Sequence, residues 1–277
     1  MMESILQFLV NKEMKKIALI FGLLVLTLSS CATSKNGGGF NLFTIADDKK
    51  FGAEVATEIE SDPTKYKILD SSKNVAVYKY IYKVRDNILN SGQVEHKSDF
   101  QWRIRIIHDD STLNAFCTPG GYIYVYTGIL KFLESEDEFA GVLAHEIAHA
   151  DKRHSTRQMT QMFGVQMMLQ IVAGNRELVK QVSGALIGLK FSRNHETEAD
   201  LHSVKYLCPT AYNAAGGAGF FEKIQAVGGG RTPEFLSTHP DPGNRIQNFQ
   251  TNKEANECKG SNRFVDEYRS MVALLPK

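Results

Sequence analysis

The chain has 277 residues, 43% of them hydrophobic and 23% charged, which suits one globular domain or at most two. Its formal net charge is only +1. Its basic residues are scattered, with no run of five or more, so no electrostatic case exists for nucleic acid or acidic partners.

Met14-Lys15-Lys16 precedes an apolar run over residues 17–28. That run is shorter than the ~20 residues a helix needs to cross a bilayer. A basic start followed by a short apolar stretch reads as a secretory signal, which places the expected true start at Met14 and the leader over residues 1–30. The run ends in Leu28-Ser29-Ser30-Cys31, which looks like a bacterial lipoprotein box, with Cys31 as the expected lipidation site. Residues 31–47, with Gly37-Gly38-Gly39, read as anchor and flexible tether, and residues 48–277 as the folded domain. Export would place three remaining cysteines in an oxidising compartment, where they permit one bridge at most.

Helical periodicity covers residues 48–61 and 72–90. Two runs rich in β-formers follow at 102–107 and 122–126, with the turn signal Thr118-Pro119-Gly120-Gly121 between them. They predict a small antiparallel sheet. Ser135-Glu136-Asp137-Glu138 reads as a capping box opening the next helix. Residues 157–173 and 176–190 read as two more helices. The Met-rich part of the first suits either a core-facing surface or a mobile lid, with core the commoner use. A helix from about 195 should end near Cys208, because Pro209 disfavours helical geometry in the residue before it. Asp241-Pro242 reads as the cap and first residue of another helix. The expected fold class is α+β and mostly helical. Cys208 ends one helix and Cys258 follows another, so they are the expected pair, with Cys117 free.

The chemistry concentrates in His145-Glu146-Ile147-Ala148-His149. Positions i and i+4 share a helix face, so both histidines can grip one metal while Glu146 reaches a water beside it. A catalytic zinc needs a third protein ligand. A third histidine six residues on is excluded, because Ser155 stands there; His154 is one residue short and reads as a partly exposed helix-end histidine. The better source is Glu196, with Asp200 one turn later: one carboxylate for the metal and one to orient a histidine. Glu198 lies about 200° around the helix from Glu196 and faces elsewhere, so its loss is expected to leave metal and activity intact.

Four blocks then resemble metallopeptidase family forty-eight, which takes in the HtpX-like and CAAX prenyl proteases. They are Asn114-Ala115-Phe116 with Pro119-Gly120-Gly121; the histidine run with Arg153-His154-Ser155; Ser192-Arg193 with Glu196 and Asp200; and Ser237-Thr238-His239-Pro240 with Arg245. The resemblance spans residues 48–255 and implies a zincin-type catalytic domain. It implies one Zn2+ on His145, His149 and Glu196, with Glu146 as general base. It also implies His239 and Arg245 near the reacting centre, and Asn114, Ala115 and Phe116 as a substrate-aligning edge strand. Lacking several long apolar spans, the chain resembles the bacterial periplasmic lipoprotein branch. That branch implies a lipid-anchored protein of the cell envelope, at the outer membrane facing the periplasm, acting on unfolded or misfolded proteins. The alternative expectation is an anchored chaperone or assembly factor with restrained proteolysis.

Overall fold

Thr44 and Asp47 open the first helix, α1 (Ile45–Glu60), by a reciprocal pair of bonds: the Asp47 N–H donates to Thr44 Oγ1 and the Thr44 N–H donates to the Asp47 carboxylate. The structure, a computed structural model, describes residues 41–227, 234–241 and 243–277, so the leader, Cys31 and the glycine run lie outside the described residues. Residues 42–277 form one unit. The chain continues through α2 (Val75–Leu89), β1 (Arg103–Ile107), β2 (Ala115–Thr118), β3 (Tyr122–Tyr126) and α3 (Thr127–Phe132). Then come α4 (Glu136–Asp151), α5 (His154–Met162), α6 (Val165–Val172), α7 (Arg176–Ile187) and α8 (Arg193–Leu207). The remaining helices are α9 (Gly217–Val227), α10 (Glu234–Thr238), α11 (Arg245–Ala255) and α12 (Val265–Val272).

The sheet order is β1-β3-β2, with β1 parallel and β2 antiparallel to β3. It is therefore a mixed sheet, not the antiparallel one expected. The cause is the short strand β2, which supplies the hairpin with β3 around Pro119-Gly120-Gly121 and reverses the chain once more, so β3 runs with β1. The period-2 alternation of strands sorts side chains to two buried faces. Ile104, Ile106, Ile123 and Val125 pack with α2 and α4, whereas Phe116, Tyr122 and Tyr124 pack with α1 and α7.

Helix α4 is buried at all sixteen positions, which marks it as the centre of the domain. A Cβ on Gly141 would lie 2.3 Å from the Gly217 backbone, so the crossing of α4 and α9 depends on that glycine. Ser135 occupies the cap position of α4, but the expected capping box is not made. Its hydroxyl donates to Asp137 instead, and the Glu138 carboxylate accepts from the Glu134 N–H. The acidic first turn still suits the helix dipole.

Three other expectations shift. The helix expected over 157–173 breaks at Phe163-Gly164 into α5 and α6. Met159, Met168 and Ile171 are buried in the second core cluster, while Met162 is exposed. Helix α11 starts at Arg245 after Asn244, not at Asp241; Pro242 lies outside the described residues. Cys208 and Cys258 are bridged, with Cα atoms 4.7 Å apart, and Cys117 is a buried free thiol. A bridge closing 50 residues stabilises by about 4 kcal/mol on a chain-entropy estimate. It staples the far ends of α8 and α11, whose near ends both reach the site below. No helix among the described residues is long and apolar enough to cross a membrane.

Candidate metal centre

Four buried side chains from three elements converge: His145 and His149 of α4, Glu196 of α8, and His239 just after α10. One ligand atom from each lies within 4.8 Å of all the others. The helical spacing of α4 puts His145 Nε2 and His149 Nε2 2.9 Å apart. Glu196 Oε2 is 3.4 Å from His145 Nε2, and Oε1 is 3.4 Å from His149 Nε2. His239 Nδ1 is 3.1 Å from Glu196 Oε1 and 3.4 Å from His145 Nε2.

The hydrogen bonds around this group fix which ring nitrogens face inward. His145 Nδ1 lies 2.9 Å from Asp200 Oδ1 and so donates there, leaving its Nε2 lone pair toward the centre. Arg245 holds Asp200 in turn, with Nη2 at 2.5 Å from Oδ1 and Nε at 2.9 Å from Oδ2. Its Nη1 is 3.3 Å from Glu196 Oε2. Asp200 and Arg245 thus position the ligand set from behind.

His149 has an equivalent support that the sequence reading missed. His154 is fully buried, not partly exposed. Its Nδ1 lies 3.0 Å from His149 Nδ1, and its Nε2 lies 3.1 Å from Glu198 Oε2. A carboxylate only accepts, so His154 Nε2–H donates to Glu198 and Nδ1 accepts from His149 Nδ1–H. That leaves the His149 Nε2 lone pair directed inward as well. The expectation for His154 failed because α4 ends at Asp151 and the chain turns through Arg153 in a left-handed conformation at φ 59°. The pair Arg153-His154 within a matching block was the available signal. Phe191 stacks on His149 at 4.0 Å and Phe235 on His239 at 4.3 Å, closing the apolar sides. Neither was singled out from the sequence.

Two inward lone pairs 2.9 Å apart in a buried site repel unless something positive sits between them. Burial alone would depress His145, but the Asp200 and Glu196 carboxylates override it and bring its pKa up to about 9. Burial would raise Glu196, yet His239, His145 and His149 hold its carboxyl well below the usual range. Glu146 differs from all of these. Both of its carboxylate oxygens are buried without a hydrogen-bond partner, and burial pushes its pKa up against the opposing pull of His239 and His145. Its Oε1 is 3.5 Å from His239 Nε2. The Cys117 thiol of β2 is pushed up by burial and by Glu146. The donor set, the orphaned atoms and the two supporting carboxylates fit a divalent metal.

Asn114, Ala115 and Phe116 lie at the start of β2, the outer strand beside β3. The Asn114 carbonyl accepts from Tyr126 N–H, and the Leu113 carbonyl accepts from Phe235 N–H, which ties α10 to the start of β2.

Substituting His154 by alanine is expected to weaken metal binding about 10–100-fold, the usual cost of losing a hydrogen-bonded support of a ligating histidine. Glu198→Gln should show a smaller loss through the same contact, instead of being silent. Chelator-competition titration of each purified variant measures both. Unchanged affinity in His154→Ala would show that His149 is oriented without it.

The model of peptidase family M48 matches residues 78–253. The chain is 32% identical over 192 residues to the mitochondrial metalloendopeptidase OMA1 of Schizosaccharomyces pombe, covering 65% of this chain and 56% of that protein. It is 26% identical over 178 residues to the metalloprotease YcaL of Escherichia coli K12, covering 61% and 66%. It is also 29% identical over 157 residues to the beta-barrel assembly-enhancing protease of the same organism, covering 51% and 32%. The chain thus spans between about a third and two thirds of the length of these relatives.

Proposed function

The chain belongs to peptidase family M48, and from that premise we propose that it is a zinc-dependent endopeptidase anchored in the cell envelope. One observation carries the reading: Glu146, fully buried and not itself among the converging ligand atoms, stands beside a ligand set of His145, His149 and Glu196. The donor set supports zinc as the metal, since imidazole nitrogens joined by one carboxylate are the ligands it favours.

When bound, zinc would supply Lewis acidity to a peptide carbonyl and acidify a water toward a pKa of ~7. The remaining work falls to the chain. Glu146 takes the proton from the attacking water and returns it to the leaving amine, a role suited to a carboxyl whose pKa burial has raised. Asp200, held by Arg245, keeps His145 in the binding tautomer. His239 brings a fourth ligand atom to the cluster, where it would either compete with water or substrate for the metal or, through its Nε2 3.5 Å from Glu146 Oε1, meet the oxyanion.

Cys31 is the proposed lipid anchor, at the outer membrane facing the periplasm. Unfolded or misfolded envelope proteins are the proposed substrates, in keeping with a relative named for enhancing β-barrel assembly. A second reading, an anchored chaperone or assembly factor with restrained proteolysis, is favoured by one feature: His145, Glu146, His149 and His239 are all at most 2% exposed. Cleavage of an unfolded test protein by the purified chain separates the two. Cleavage should stop on chelation and return with added zinc. Degradation that persists in chelator would remove the metal from the mechanism, and no cleavage under any metal supply would favour the chaperone.

A further inference from the structure

Three large hydrophobic side chains that are more than half exposed stand on consecutive helices: Met162 (58%) at the end of α5, and Val165 and Leu169 (both 57%) on α6. Val165 and Leu169 are four residues apart and share one helix face. The opposite face of the same segment is fixed to the domain, since Met159, Met168 and Ile171 are buried in the second core cluster. From Gln158 to Asn175 the sequence carries no Asp, Glu, Lys or Arg, and Arg157 and Arg176 close the stretch at either end. The polar positions exposed between the hydrophobics are neutral glutamines: Gln161, Gln166 and Gln170. A solvated helix pair ordinarily carries charges on its outer face. An exposed apolar face without charge marks a surface that something else covers, and lipid is a covering that makes no demand for charge there.

The entry point of the chain says what covers this face. The Leu42 N–H donates to Thr160 Oγ1 of α5 at 3.3 Å, so the segment leading from Cys31 joins the domain beside these helices. Eleven residue steps separate Cys31 from Leu42, a span of at most about 40 Å when fully extended. A lipid on Cys31 therefore holds the point where the chain meets α5 within about 40 Å of the bilayer. We propose that the outer face of α5 and α6 docks on lipid, with Met162, Val165 and Leu169 entering the boundary between headgroups and acyl chains. The proposal rests on the reading of Cys31 as a lipid anchor. It also has a consequence for the site. A groove of about 470 Å³ lined by Met162, Phe163, Leu186, Leu189 and Phe191 joins this face to the ring stacked on His149. Docking would hold the metal centre at the membrane surface, where an unfolded envelope protein arrives.

The test uses the full mature chain, lipid-modified at Cys31 and reconstituted into vesicles of phosphatidylethanolamine and phosphatidylglycerol. A fluorophore is attached at Leu169→Cys in one preparation and at Val75→Cys in another. Cys117 is buried and Cys208–Cys258 is bridged, so neither competes for label. Val75 is 61% exposed on α2, which packs on the opposite face of the sheet. Lipids with a nitroxide high on the acyl chain should quench the Leu169 label about threefold more than the Val75 label, since an interfacial helix sits roughly 5–10 Å into the headgroup boundary. Adding reduced, unfolded test protein should leave that ratio unchanged. Equal quenching on floated vesicles overturns the docking with the anchor intact. Protection of the Leu169 label by unfolded protein in place of lipid overturns it in favour of a polypeptide-binding face. Failure of the protein to float with the vesicles overturns the anchor reading, and the docking with it.

Discussion

Replacing Glu146 by glutamine is expected to lower turnover about 10²–10⁴-fold while leaving the metal bound, the range for losing a general acid–base group. Glu146 is absent from the group of converging ligand atoms, so no metal bond is removed. Glutamine keeps the shape but cannot accept the proton. The substitution should leave the fold intact, because glutamine keeps the volume and can still face the His239 ring, 3.5 Å away, and the Cys117 thiol. Burial already raises its pKa, so a neutral replacement avoids the cost of a buried charge. The measurement pairs metal content with cleavage of an unfolded protein. Turnover within a factor of two of the parent would remove Glu146 from the mechanism. Loss of metal along with activity would instead make it part of the binding set.

Glu196→Gln is expected to abolish activity by a different route, through loss of the metal. Glu196 faces both His145 and His149 at 3.4 Å and His239 at 3.1 Å, and it lies 3.3 Å from Arg245 Nη1. Its negative charge offsets the buried guanidinium and the metal together. Neutralising it should lower affinity by more than the about 10–100-fold typical of a partner one layer further out. Glu198→Gln should lose less than that range, because Glu198 acts only through His154. Dialysed variants analysed for metal content distinguish the two carboxylates. An empty Glu198→Gln beside a loaded Glu196→Gln would reverse the assignment.

The site was legible where helical spacing alone sets geometry. His145 and His149, and Glu196 and Asp200, are i and i+4 pairs on α4 and α8, and each pair acts on one face. The sequence reading failed where the chain leaves a helix. His154 lies five residues from His149, a spacing that on a continuous helix points elsewhere; the left-handed turn at Arg153 brings it back. Non-glycine residues adopt that conformation in only a few per cent of cases, so nothing in the pattern announces it. The same limit applied to the sheet. The strands β1 and β3 were visible from their β-branched and aromatic content, but β2 entered only as the edge strand the family resemblance implies and was not counted in the chain reversals, so the direction of β3 comes out wrong. The mostly helical α+β class survived these errors because the long amphipathic segments determine it.

Arg153 also limits how far this catalytic region can be treated as a movable module. Its guanidinium reaches back to the Asp48 carboxylate and the Phe43 carbonyl, both outside the stretch of residues 78–253 that defines the family. Excising that stretch would strand a cation at the C-terminal end of the histidine helix, and breaking one side of a buried pair costs about 3–5 kcal/mol. It would also strip α1, with Phe51 and Val55, from one face of the sheet, and discard Cys258 from the bridge. Those losses rival the whole stability of an ordinary domain, about 5–15 kcal/mol. A piece that keeps these contacts begins near residue 42 and runs past Cys258. Any fusion, transplant or chimera that borrows this chemistry must carry both flanks with it.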